Sequence, residues 1–192
     1  NNNDQEVQLV INHIATKLLS ALMIITLIAL VAAPLVIFVF AWGFYFKADP
    51  YQFQLTTDML RITFPYLLLI SLTALSGSIL NTYDNFTVPA FTPVLLNISL
   101  ILSAFYLSHY LNNPIMALAW GVFIGGIVQL AFQIPFLRKI KKLPKLQFGH
   151  HKAIDTLKKR MLPALFGVSV SQINLLVDTM IASTLIAGSV SW

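Results

Sequence analysis

"LLSALMIITLIALVAAPLVIFVFAWGFYF", residues 18–46, runs for 29 residues without one Asp, Glu, Lys or Arg. A single helical crossing of a bilayer needs only about 20 apolar residues. A barrel strand needs ~10 residues of alternating polarity, and this run is uniformly apolar. The stretch is therefore read as a transmembrane helix, and it sets the class of the chain. At 1.5 Å per residue it is ~43 Å long, against ~30 Å of hydrocarbon. It must tilt, bend at Pro34, or project beyond the bilayer core.

The rest of the chain agrees. Hydrophobic residues make up 57% of it and charged residues 10%, where a soluble domain carries ~25% charged. Mean hydropathy is +0.78. Four further apolar segments follow, at residues 62–80, 94–111, 115–137 and 161–187. The expected fold is all-α, a polytopic transmembrane bundle of five spans. The connections between spans hold the Pro, Asn and Asp residues of turns. The opening "NNNDQEV" is polar and fits the tail of a loop. With no initiator Met and no signal-peptide pattern, the chain reads as an internal part of a longer membrane protein. It has no cysteine, so no disulfide framework is available to argue from.

Orientation follows from the basic residues. Nine of the 12 Lys and Arg lie in "RKIKKLPKLQFGHHKAIDTLKKR", residues 138–160. Short loops rich in Lys and Arg stay cytoplasmic. The N-terminus and "NTYDNFTVPAFTP" (81–93) are then inside, and the loops at 46–61 and "YLNNPI" (110–115) are outside. The second half of the basic loop sets Ile154, Leu157 and Met161 at i, i+3 and i+7 beside Lys158, Lys159 and Arg160. That is the pattern of a short basic helix lying on an anionic leaflet. Membrane topology accounts for these charges, so no nucleic-acid partner is expected. Arg61, Asp58, Lys17 and Asp84 sit at helix ends, where snorkelling explains them.

In lipid, helices approach through small residues. Ala117, Gly121 and Gly125 are spaced by four on one face of the fourth span. In the second span, Thr73 pairs with Gly77 and Ala74 with Ser78. The sequons at Asn85 and Asn97 fall in a cytoplasmic loop and inside a span, and are coincidental. His150 and His151 are adjacent, so they share no helix face, and no metal site is expected there. No nucleophile motif, phosphate loop or metal-ligand spacing is present, so no catalytic residue, metal or cofactor is assigned.

One apolar segment carries polar residues: "SQINLLVDTMIAS", 171–183. At 100° per residue, Ser171, Asn174 and Asp178 fall within ~60° of one another, and Gly167 joins them. Gln172, Thr179 and Ser183 form a second line ~100° further round. Val170, Ile173, Leu176, Val177, Met180 and Ile181 occupy the opposite half. An Asp at membrane depth costs ~2.5–3.5 kcal/mol and survives by facing a partner or a water-filled path. Ser171, Gln172, Asn174 and Asp178 are the candidate cavity-lining residues. The structural alternative is that Asn174 and Asp178 bond each other and a neighbouring helix.

Three long stretches carry a family resemblance: "LRITFPYLLLISLTALSGSILNTYDNFTVPAFTPVLLNISLI" (60–101), "ALAWGVFIGGIVQLAFQIPFLRKI" (117–140) and "LPALFGVSVSQINLLVDTMIASTLIAGSVSW" (162–192). They closely resemble the MurJ (MviN) family of bacterial lipid II flippases, in order and across essentially the whole chain. The family belongs to a superfamily of multidrug, oligosaccharidyl-lipid and polysaccharide exporters. The resemblance implies a two-lobe transporter of which this chain supplies about helices three to seven. Residues 1–137 would be N-lobe helices, 138–160 the cytoplasmic linker between lobes, and 161–192 the first helix of the C-lobe.

The implied activity is transport and not bond chemistry. Lipid II, an undecaprenyl-pyrophosphate-linked disaccharide pentapeptide, would cross the bacterial cytoplasmic (inner) membrane by alternating access. Its implied partners are lipid II, membrane lipids and the remaining helices of the full-length chain. The arginines that the family uses for pyrophosphate lie in helices outside these residues, so none is transferred, and Arg61 is not promoted to that role. The alternatives are an exporter of another lipid-linked oligosaccharide or drug, and a noncatalytic membrane scaffold of cell-wall synthesis. A membrane enzyme would need an acid, His or metal cluster that the sequence does not contain.

Overall fold

The computed structural model describes residues 2–40, 50–149, 159, 161, 163, 165–169, 172–178 and 181. Among them the elements are helical: α1 (Asn2–Phe40), α2 (Pro50–Thr63), α3 (Tyr66–Thr82), α4 (Thr87–Tyr106) and α5 (Met116–Lys139), with a 3-10 turn at Leu107–His109. Four spans among the described residues are long and apolar enough to cross a membrane: Asp4–Val39, Tyr51–Thr82, Thr87–His109 and Met116–Lys139. The all-α polytopic bundle expected from the sequence is therefore observed. Part of the fifth expected span, including everything after residue 181, lies outside the described residues. Its residues 165–169 and 172–178 are helical.

Three boundaries differ from expectation, each for a physical reason. The polar N-terminus is not a loop tail, because α1 is helical from Asn2. Asp4, Gln8, Asn12 and Thr16 repeat every four residues, and this polar face is held by the segment that follows α5. The region read as an outer loop, 46–61, contains α2 from Pro50 onward. Its mixed polarity hid a helix that buries Thr57 and half-buries Phe53 and Leu55. Helix α4 begins at Thr87, seven residues before the expected 94. Pro89 reads as a loop residue, but in a first helical turn its missing N–H has no intrahelical partner to lose.

Two tight helix ends shape the side that carries the basic segment. Asp84 takes φ +58° after α3, and Lys141 takes φ +56° after α5. In each case the next amide reaches back five residues: Asn85 N–H to the Leu80 carbonyl at 3.0 Å, and Lys142 N–H to Leu137 at 3.0 Å. This is the Schellman closure of a helix, with a non-glycine residue in the left-handed position. Beneath these turns Ile79, Leu80, Val88 and Leu137 form an apolar cluster.

Helices α4 and α5 pack most extensively, antiparallel, along a seam of small residues. The buried positions of α5 include Ala117, Gly121, Gly125, Gln129, Gln133 and Leu137, every fourth residue. They face Ser103, Ser99 and Thr92 of α4. A Cβ on Gly121 would stand 3.0 Å from the Ser103 Cβ and 3.3 Å from the Leu100 Cα, so only glycine allows this approach. Of the two pairs read in the second span, Thr73 and Gly77 are buried, with Gly77 against Pro89, while Ala74 and Ser78 are exposed. On α1, Ile28, Val31 and Leu35 are exposed, Val31 by 83%, as a lipid-facing side requires.

Candidate functional site

The structure places Gln172, Asn174 and Asp178 on one helical stretch, 172–178, and all three are exposed. Ser171 lies outside the described residues, as do His150, His151, Ile154 and Leu157. Ser169, on the preceding turn, donates to the Leu165 carbonyl at 2.7 Å and so satisfies itself. The stripe presents a carboxylate and two amides. It holds no cation, so it cannot bind a pyrophosphate unaided.

The four spans before it contain a second polar system that sequence reading missed. Gln129 Nε2 donates to the Thr92 carbonyl at 3.1 Å, and Gln133 Nε2 donates to Thr92 Oγ1 at 2.9 Å. Thr92 Oγ1 in turn donates to the Val88 carbonyl at 2.9 Å. The Tyr66 hydroxyl reaches Gln129 Oε1 at 3.5 Å. Gln129 and Gln133 are fully buried. Buried amides cost free energy unless paired, and here neutral groups pair across α3, α4 and α5. The signal was present in the sequence: both glutamines continue the four-residue spacing of Ala117, Gly121 and Gly125.

A third system ties α1 to residues 142–147. Gln8 Nε2 donates to the Leu143 carbonyl at 3.0 Å. The Lys145 amide donates to Asn12 Oδ1 at 2.9 Å, and the Gln147 amide donates to Thr16 Oγ1 at 2.8 Å. Asn12 Nδ2 also donates to Gln147 Oε1 at 3.1 Å. The registers match because four helical residues advance ~6 Å and two extended residues ~6.6 Å. At the head of this ladder Lys142 Nζ pairs with Asp4 Oδ1 at 3.0 Å and lies 5.6 Å from the centre of the Tyr83 ring. The hydrogen bond to Asp4 holds the Lys142 ammonium above the ordinary lysine value of 10.5, and Tyr83 adds to the effect.

Arg61 is the fourth feature, and it is more than a snorkelling residue. Its Nε donates to the Leu30 carbonyl of α1 at 3.4 Å, and its Nη1 pairs with Asp58 Oδ1 at 3.5 Å. A charge near membrane depth is tolerated when it is paired with an acid or with backbone carbonyls, and Arg61 has both.

Four membrane-length helices, sealed by a small-residue seam and neutral interior amides, define a polytopic helical membrane protein. Its polar groups lie between helices and along one further helical stretch. A model of the lipid II flippase MurJ family matches residues 1–192. The probable lipid II flippase MurJ of Haemophilus influenzae is 45% identical over 175 residues, covering 88% of this chain and 34% of that protein. That of Vibrio cholerae is 52% identical over 142 residues, 73% of this chain and 27% of that protein. The lipid II flippase MurJ of Burkholderia cenocepacia is 38% identical over 187 residues, 95% of this chain and 36% of that protein. The chain belongs to the lipid II flippase MurJ family, and it spans about a third of the length of these relatives.

Proposed function

We propose that the full-length protein moves lipid II from the inner to the outer leaflet of the bacterial cytoplasmic membrane by alternating access, for cell-wall synthesis. The family match along the entire chain is the observation that carries this reading. Residues 1–137 act as part of the N-lobe, 138–160 as the linker, and 161–192 as the opening of the C-lobe. The ladder between α1 and residues 142–147 supports this division, since it makes the first part of the linker a fixed attachment on the N-lobe side. Ser171, Gln172, Asn174 and Asp178 line the transport path, where hydroxyl, amide and carboxylate groups suit the sugar and peptide portions of the head group. Cationic groups elsewhere in the full-length chain take the pyrophosphate. Transport needs no covalent step from these residues.

The test uses the intact protein in growing cells. Depletion should trap labelled lipid II on the inner face, and wild type should restore its outward appearance. Asp178→Ala, expressed at normal level, should fail to restore it. Normal outward appearance after depletion, in cells lacking any second exporter, would reject the flippase reading. Full rescue by Asp178→Ala would reject the role of the stripe alone.

A further inference from the structure

Proline has no amide hydrogen, so Pro34 inside α1 leaves the Leu30 carbonyl without its intrahelical donor. Pro65, between α2 and α3, does the same to the carbonyl of Arg61. These two breaks lie side by side. The Arg61 Nε is 3.4 Å from the Leu30 oxygen that Pro34 orphaned. One residue therefore stands at both: its backbone at the elbow between α2 and α3, its side chain at the gap in α1. Ala29 and Ala33, flanking Leu30 on the buried side of α1, are small enough to allow the approach. The guanidinium suits this position because its fork is rigid. Nε serves the carbonyl while Nη1, aimed elsewhere, serves Asp58 at 3.5 Å. A lysine would bring a single nitrogen to both.

We propose that Arg61 pins two proline breaks together, holding the C-terminal end of α2 against α1 at Leu30, so that the part of α1 beyond Pro34 bends about a fixed point. That part of α1 would move against α2 and against the part of α1 held by the 142–147 ladder. The consequence for turnover rests on the alternating-access reading above, whereas the pin itself is a statement about the fold. Arg61 is a positioning residue here. It acts by filling a carbonyl that a helix break leaves open.

The experiment is a double-mutant cycle in the full-length protein: wild type, Arg61→Ala, Pro34→Ala and the pair. Alanine at 34 restores the amide hydrogen, so Leu30 regains an intrahelical donor and no longer needs Arg61. Arg61→Ala alone should lower the melting temperature by about 4 °C. In the Pro34→Ala background the same change should cost less than half as much. An equal loss in both backgrounds would overturn the pin and assign the effect to the Asp58 contact. Should Arg61→Ala fail to accumulate, Arg61→Lys takes its place in the same cycle. Outward appearance of labelled lipid II supplies the second readout. Pro34→Ala should slow it several-fold while keeping or raising stability, which a merely structural proline would not do. Unchanged transport in stable Pro34→Ala protein would reject the hinge. Absence of lipid II transport by wild type would reject the flippase reading and leave the stability cycle standing.

Discussion

Two helices of this protein carry the same kind of stripe and put it to opposite uses. On α5 the stripe is Ala117, Gly121, Gly125, Gln129, Gln133 and Leu137. On α1 it is Asp4, Gln8, Asn12 and Thr16. Both repeat every four residues, so both lie along one helix face. The α5 stripe meets another helix in the membrane interior. It is small or neutral throughout, and its amides pair with Thr92 of α4. The α1 stripe meets an extended chain near the basic segment. It contains a carboxylate, and it captures the amides of Lys145 and Gln147. The spacing makes a face, and the surroundings decide what that face holds. Where no water can replace a lost partner, neutral groups that can pair with a neighbouring helix are favoured over charge. Beside water, charge and exposed backbone are both admissible.

The contrast is breakable, and the largest effect should come from the interior. Gly121→Leu forces a side chain into Ser103 and the α4 backbone, and should destabilise the full-length protein by about 3 kcal/mol. Thermal unfolding in detergent would show it, and a change under 1 kcal/mol would mean the seam is looser than its geometry. Next, Thr92→Val removes the hydroxyl that accepts from Gln133, whose Oε1 already has no partner among the described residues. The expected loss is about 2 kcal/mol. Asn12→Ala removes the acceptor for the Lys145 amide, but Lys145 is exposed and its amide can turn to water, so about 1 kcal/mol is expected. The order of these two sharpens the comparison: a larger loss at Asn12 than at Thr92 would invert it.

Smaller effects lie at the head of the ladder. Lys141→Gly relieves the left-handed strain at the end of α5, and should raise stability by up to ~1 kcal/mol. A loss instead would show that the Lys141 side chain, and not the turn, matters. Smallest is the pH response of the ion pair. The folded state raises the Lys142 value above 10.5 through Asp4. Its contribution is therefore fully present below pH 10.5 and disappears as pH climbs through the raised value. Melting measured against pH should fall in that alkaline window for wild type and less steeply for Lys142→Met. Identical slopes would remove the pair from the account.

Much of this was legible in the chain. The charge-free run at 18–46 established a helical membrane protein, because backbone in hydrocarbon must satisfy itself and 29 apolar residues permit only a helix. The four-residue spacing from Ala117 to Gly125 marked the face of closest approach, and continuing it would have found Gln129 and Gln133. The polar stripe at 171–178 was visible by the same periodicity, and the described part of it is helical and exposed. Helix boundaries were less legible. Pro89, and the polar residues of α1 and α2, carry local turn signals that packing overrode.

What the sequence alone determined is the solvent each segment prefers, since hydropathy and periodicity are local properties of a chain. What only the tertiary structure decided is which polar group meets which. Nothing local links Asn12 to Lys145, or Arg61 to the carbonyl of Leu30. Those pairs exist because α1, the α2–α3 elbow and the strap after α5 are brought together by helices packed elsewhere. A donor's partner is a matter of position in space, and only the fold assigns it.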